Sequence, residues 1–193
     1  MKVLLIDHED SFVHNVEQGL ATEGARVSCL RSTVPLRDAI RVDPDAIVLS
    51  PGPGHPADRR LTGLSRALLR RWDRERPFLG VCLGHQLMAE HYGATVVHAP
   101  EPVHGDVTRI THDGRGLFEG VPTPTLVARY HSLMVRPSSV PSTLEVSARG
   151  EGGIVMSLRH RRRPVSSVQF HPESYLTRSG PMLLRNFLRE ARR

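Results

Sequence analysis

Residues 78–86 read FLGVCLGHQ, and the way this stretch folds decides the rest of the chain. Its first four residues are apolar enough for a short buried strand, and residues 84–92 follow with a helical pattern that closes at Gly93. A cysteine stands at the junction, with glycine two residues before it (Gly80) and two after (Gly84), which is a sulfur version of the G-x-S-x-G elbow. A strand turning sharply into a helix crowds the backbone around the nucleophile, and flanking residues without a Cβ relieve that crowding. Cys82 is therefore expected at the C-terminal end of a strand, the edge where parallel α/β sheets bind ligands and where the next helix points its N-terminus. The partial positive charge there favours thiolate over thiol. The backbone N–H of Leu83 is placed to stabilise an oxyanion. The alternative is that Cys82 is a small buried apolar residue like Cys29. The paired glycines and the strand-turn-helix setting weigh against it.

Working outward, short β-branched runs alternate with helical patterns in the first half. Strands are predicted at residues 3–7, 27–30, 46–50 and 78–81. A helix over 11–23 ends at Gly24, and another carries Leu61, Leu64, Leu68 and Trp72 at helical spacing until Pro77 closes the segment. This is the rhythm of a parallel sheet covered by helices. The second half is richer in strands, predicted at 95–98, 107–110, 125–129, 144–148, 154–158 and 165–170. Gly152-Gly153 forms a hairpin turn between two of them, so antiparallel pairs join the sheet. A helix over 181–192 follows, with Pro181 at its first position. The expected fold is α/β, with an open, twisted, mostly parallel but mixed sheet, in one domain over residues 1–193.

Composition excludes several function classes. With 193 residues, 39% hydrophobic and 24% charged, the chain can bury one self-sufficient core. The net charge of +6 and pI near 10.3 raise the question of nucleic acid. Yet the basic residues are nearly all Arg and scattered, with no aromatic stacking motif, and the longest cluster, 161–163, reads as a solvated turn before Pro164. Eleven His raise the question of a metal, but there is no H-x-x-x-H pair and no second cysteine near the first. Two cysteines are too few for a disulfide scaffold. The opening MKVLLIDHED lacks the apolar core of an export signal, and no apolar stretch nears the roughly 20 residues of a membrane span. A cytoplasmic protein, away from membranes and nucleic acid, is the expectation.

Two further segments carry chemistry. Residues 169–174 read QFHPES; Pro172 holds its neighbours extended, and side chains at i and i+2 of an extended chain share a side. His171 and Glu173 can thus stand together, the carboxylate fixing one imidazole nitrogen and leaving the other for a thiol. Taken alone, the tripeptide also reads as an exposed turn. Residues 50–54 read SPGPG, again just after a predicted strand. Its glycines permit close approach of backbone to a ligand and its prolines stiffen it. A phosphate cradle is the alternative, but neither G-x-G-x-x-G nor G-x-x-x-x-G-K is present.

Together GVCLGHQ, SPGPG and QFHPES resemble the class I, or triad, glutamine amidotransferases, and among them the glutaminase subunits of anthranilate and aminodeoxychorismate synthases. LLIDHEDSF near the N-terminus is similar to that branch's opening strand and loop, and RYHSL at 129–133 is similar to its glutamine clamp. The resemblance spans nearly the whole chain and implies a flavodoxin-like sheet with helices on both faces. It implies Cys82 as nucleophile, His171 as general base and acid, and Glu173 as its orienter. It also implies that Gly52, Pro53 and Gly54 form a loop supplying an oxyanion N–H beside that of Leu83. Gln86 and the main chain of Ser132 and Leu133 would then bind L-glutamine. No cofactor is implied in this chain; a chorismate-utilising synthase is the implied partner and Mg2+ is expected there. Two places depart from the family's pattern. His8-Glu9 stands where the branch commonly has Asn-Tyr, and His104-Gly105-Asp106 where it commonly has His-Gly-Lys. Rival readings are a stand-alone γ-glutamyl hydrolase, a binding module with a degenerate site, and a phosphate binder using SPGPG. The enzyme reading requires that the Cys82 sulfur and the His171 imidazole, remote in sequence, meet.

Overall fold

The computed structural model describes residues 1–192, and the side chains of all of these except 101–104. Among the described residues, nine strands form one mixed sheet. In chain order they are β1 (Lys2–Asp7), β2 (Arg26–Arg31), β3 (Ala46–Leu49), β4 (Phe78–Val81), β5 (Val96–His112), β6 (Thr125–Val135), β7 (Leu144–Gly150), β8 (Val155–His160) and β9 (Val165–Val168). The spatial order is β2-β1-β3-β4-β9-β8-β7-β5-β6. From β2 to β9 every pairing is parallel, and from β9 to β6 every pairing is antiparallel.

Alternation along the parallel strands divides the core into two layers. Val3 and Leu5 of β1 join Val48 and Val81 on one face, beneath helices α1 (Val13–Thr22) and α5 (Gly180–Glu190) through Val16, Leu20, Leu184 and Phe187. Leu4, Ile6, Ile47 and Leu49 face the other way. There they meet α2 (Leu36–Arg41), α3 (Arg59–Trp72) and α4 (Leu83–His91) through Ala39, Leu68, Trp72 and Leu87. A third cluster, with Ala89, Val96, Leu133, Val135 and Leu158, fills the space under the antiparallel strands. Every one of these side chains is less than a tenth exposed, so truncating a central leucine such as Leu68 costs about 2–5 kcal/mol.

Most predicted elements appear within a residue or two of the expected bounds, and the Gly152-Gly153 turn does join the antiparallel pair β7 and β8. Three differences have physical reasons. The runs 95–98 and 107–110 are parts of one long strand, β5, because register shifts between His98 and Val103 and between His104 and Asp106 let it stay paired with β6 through the intervening proline and glycine. β6 continues past residue 129 to Val135, so the RYHSL segment is itself strand. α2 has only six residues, too few to show a periodicity in sequence. Within the arginine triplet Arg161 and Arg162 are exposed, as expected of a solvated turn, but Arg163 pairs with the buried Asp73 and lies 5.5 Å over the Tyr92 ring. No helix among the described residues is long and apolar enough to cross a membrane.

Candidate active site

Cys82 links β4 to α4 as the residue preceding the helix, with φ 51° and ψ −99°. Positive φ in a residue bearing a Cβ is strained, and its neighbours hold it there. The Cys82 N–H donates to the Val168 carbonyl at 2.9 Å, and its carbonyl accepts from the Gln86 N–H at 3.1 Å. The flanking glycines are required by contact. A Cβ on Gly80 would lie 2.6 Å from the Gly84 carbonyl oxygen, and one on Gly84 only 2.3 Å from the Leu49 carbonyl oxygen. The elbow is thus wedged between the ends of β3 and β4, leaving the sulfur at the C-terminal sheet edge.

His171 follows β9, in the adjoining strand position. Its N–H donates to the Ala128 carbonyl of β6, and Thr177 ties the same two residues by donating to the His171 carbonyl while accepting from the Ala128 N–H. Nδ1 donates to Glu173 Oε1 at 2.6 Å, with both side chains at most 5% exposed. Nε2 is buried, makes no hydrogen bond of good geometry, and is the nitrogen left for the sulfur. Burial by itself depresses the imidazole pKa. The Cys82 sulfur and the Glu173 carboxylate outweigh it, through hydrogen bonding and charge, and hold His171 well above its ordinary value. The structure thereby brings together Cys82, His171 and Glu173, the three residues expected from sequence. The Tyr130 ring stands edge-on to the imidazole at 5.0 Å. A cavity of about 160 Å3 beside the imidazole is lined by Phe12, Tyr130, His171, Glu173 and Tyr175, among others.

The SPGPG loop lies against the elbow. A Cβ on Gly52 would strike His8 and the Leu83 side chain, each closer than 3 Å, and Gly54 has φ 81°, so both glycines are needed as glycine. Pro53, between them, continues the same loop at the edge of β3. His8 braces it from behind: Nδ1 donates to the Ser50 carbonyl at 3.1 Å, Nε2 accepts from Ser65 Oγ of α3 at 2.9 Å, and the His8 N–H donates to Ser50 Oγ. Burial lowers the His8 pKa to about 4, so the ring is neutral at ordinary pH. His85, inside α4, is lowered to about 3 by burial and by nearby His131.

On the far side, RYHSL is held in place through a main-chain carbonyl. The Leu133 carbonyl accepts from His131 Nδ1 at 2.8 Å and from Gln86 Nε2 at 3.2 Å, while Arg129 Nε donates to His131 Nε2 and fixes its tautomer. Ser132 is exposed beside it. Gln86 also donates to Gln169 Oε1, so its amide hydrogens are used inside the protein and its carbonyl oxygen is the group it can offer a ligand. Sequence reasoning passes over His8, Tyr130 and Gln169. For Gln169 a signal exists, since it precedes His171 by two in an extended segment. Of the variant triplet, the His104 side chain lies outside the described residues, Gly105 has φ 80°, and Asp106 is exposed.

A family model described as glutamine amidotransferase class-I matches residues 4–191. The chain belongs to the class I glutamine amidotransferases. This amidotransferase is 44% identical over 187 residues to aminodeoxychorismate synthase component 2 of Klebsiella aerogenes, covering 96% of this chain and 98% of the relative. It is likewise 44% identical over 192 residues to anthranilate synthase component II of Haloarcula marismortui, covering 97% and 91%. The amidotransferase spans only a quarter to a half of the length of several multifunctional relatives it also matches. The solved structure of a putative GMP synthase subunit from Thermoplasma acidophilum superposes with a TM-score of 0.89 at 26% identity, covering 100% of this chain and 94% of that one. The open α/β fold expected from the sequence is the fold of that solved structure.

Proposed function

We propose that the chain is the glutaminase subunit of a chorismate-aminating synthase, releasing ammonia from L-glutamine at Cys82 and passing it to a partner that binds chorismate or a close relative. The observation that carries this reading is the strained cysteine elbow facing an imidazole whose other nitrogen is held by Glu173 at 2.6 Å. The Cys82 thiolate attacks the side-chain carboxamide carbon, and the oxyanion accepts from the Leu83 N–H and from the loop of Gly52, Pro53 and Gly54. The C–N bond then breaks as protonated His171 gives its proton to the departing nitrogen, leaving ammonia and a γ-glutamyl thioester. Neutral His171 next takes a proton from water; hydroxide adds to the thioester, the C–S bond breaks, and glutamate leaves with thiolate and imidazolium restored. Glu173 stays ionised throughout, stabilising the imidazolium. Gln86, through its carbonyl oxygen, and the main chain of Ser132 and Leu133 hold the amino-acid end of the substrate.

Ammonia serves the acceptor only while unprotonated, so the partner covers the site and conducts it. No cofactor is assigned to this chain, and Mg2+ belongs to the partner. The names of the relatives support both the anthranilate and the aminodeoxychorismate branch. The deciding experiment co-purifies the chain with its synthase and identifies the aminated product. Cys82→Ala abolishes glutamine-dependent amination and leaves synthesis from free ammonia intact. Loss of both, or glutaminase at full rate without any partner, would overturn this division of labour, the latter in favour of a stand-alone hydrolase.

A further inference from the structure

Gln169 has no backbone role that explains its side chain, yet it is completely buried and fully committed. Its N–H already pairs with the Met156 carbonyl at 2.9 Å, extending β9 by one residue. The side-chain amide is oriented by Gln86, whose Nε2 has a carbonyl, that of Leu133, as its other acceptor at 3.2 Å. A group donating to the Leu133 carbonyl must present nitrogen, so the same nitrogen meets Gln169 through oxygen, and the Gln169 NH2 turns the opposite way. There it lies 3.7 Å from Cys82 Sγ, within hydrogen-bonding distance for sulfur.

We infer that Gln169 is a further catalytic residue, whose side-chain amide donates to the Cys82 sulfur and stabilises it as thiolate. Cys82 is only 6% exposed, so water contributes little to solvating the anion, and each protein donor counts. His171 supplies a donor that is lost whenever it protonates the leaving group. The Gln169 amide does not titrate, so it remains on the sulfur through both halves of the reaction. The chain of donors from Gln169 through Gln86 to the Leu133 carbonyl also ties the sulfur to the strand that frames the substrate.

This inference rests on Cys82 being the nucleophile, and its test separates the two ideas. The rate of Cys82 alkylation by iodoacetamide is followed against pH in the wild type, Gln169→Met and the near-isosteric Gln169→Glu. Removing a donor to an anion moves the alkylation midpoint up by about one pH unit in Gln169→Met. The carboxylate in Gln169→Glu moves it further, and glutaminase in both recovers toward high pH. A purely structural role lowers activity equally at every pH with the midpoint unmoved, which overturns the inference while leaving the glutaminase reading in place. Loss of that reading has a different signature, glutaminase surviving Cys82→Ala. Should neither variant fold, the wild type with 15N-labelled glutamine decides. The Gln169 side-chain amide signal either shifts with the alkylation midpoint, as expected, or stays constant through it, which excludes the contact.

Discussion

On the parallel side of the sheet the site is built by backbone pressed against backbone; on the antiparallel side it is built by side chains converging on one carbonyl. Gly84 approaches Leu49 and Gly80 approaches Gly84 so closely that not even a methyl group fits. Across the site, the Leu133 carbonyl is held by His131 and Gln86, on a strand whose neighbour β5 shifts register twice. Close-packed backbone has a single arrangement, whereas a strand with bulges and adjustable hydrogen bonds can shift by fractions of an ångström. Cys82 thus sits on the rigid half and the Leu133 carbonyl on the compliant half.

The comparison breaks first at Gly84. Gly84→Ala forces a Cβ into the Leu49 carbonyl and is expected to cost about 3 kcal/mol or more, with glutaminase falling roughly a hundredfold from misplacement of the sulfur. Thermal melts and steady-state rates check it; near wild-type activity would mean that the parallel half yields after all. Next comes acid stability. His8, neutral when folded with a pKa near 4, gains a proton in the unfolded chain below about pH 6.5, so stability falls as pH drops from 6.5 towards 4. This group contributes about 3 kcal/mol to that loss. His8→Asn lowers stability at every pH by losing the bond to Ser65, but should flatten the acid limb of a denaturation series relative to its own value at pH 8; part of the limb persists because His85 titrates in the same direction.

A smaller effect tests the compliant half. His131→Ala removes one of the two donors to the Leu133 carbonyl, and KM for glutamine rises up to about tenfold with kcat nearly unchanged. A fall in kcat instead would show that the clamp positions the reacting carbon. The smallest change has the opposite sign. Gly63 lies within α3 with open space where its Cβ would be, so Gly63→Ala should stabilise the protein by about 0.5–1 kcal/mol in urea titration without altering activity.

The difference between the halves also governs how much can be read in the sequence. Rigid, local geometry leaves local signatures: the two glycines about Cys82 announce the elbow, and the i, i+2 relation of His171 and Glu173 announces their hydrogen bond. The same relation carried two residues back reaches Gln169. Contacts made across the sheet leave none. Nothing near residue 8 indicates that its imidazole reaches Ser65, which is joined to it only when α3 packs over β1 and β3. Likewise the main-chain groups of Ser132 and Leu133 are ones that every residue type possesses, so only resemblance can single them out. The bulged strand β5 reads as two strands in sequence because Pro100, Pro102 and Gly105 look like breaks, and the pairing with β6 that carries the chain past them is a tertiary fact.

The double tie between Thr177 and the backbones of Ala128 and His171 bears on the order in which the protein is made. Cys82 leaves the ribosome before His171, on a strand that can pair at once with β3 alone because its other neighbour, β9, comes later, and the imidazole gains this link onto β6 only once residue 177 has emerged. A nascent chain therefore carries the Cys82 sulfur without its anchored imidazole until everything through residue 177, beyond the last strand, has been made.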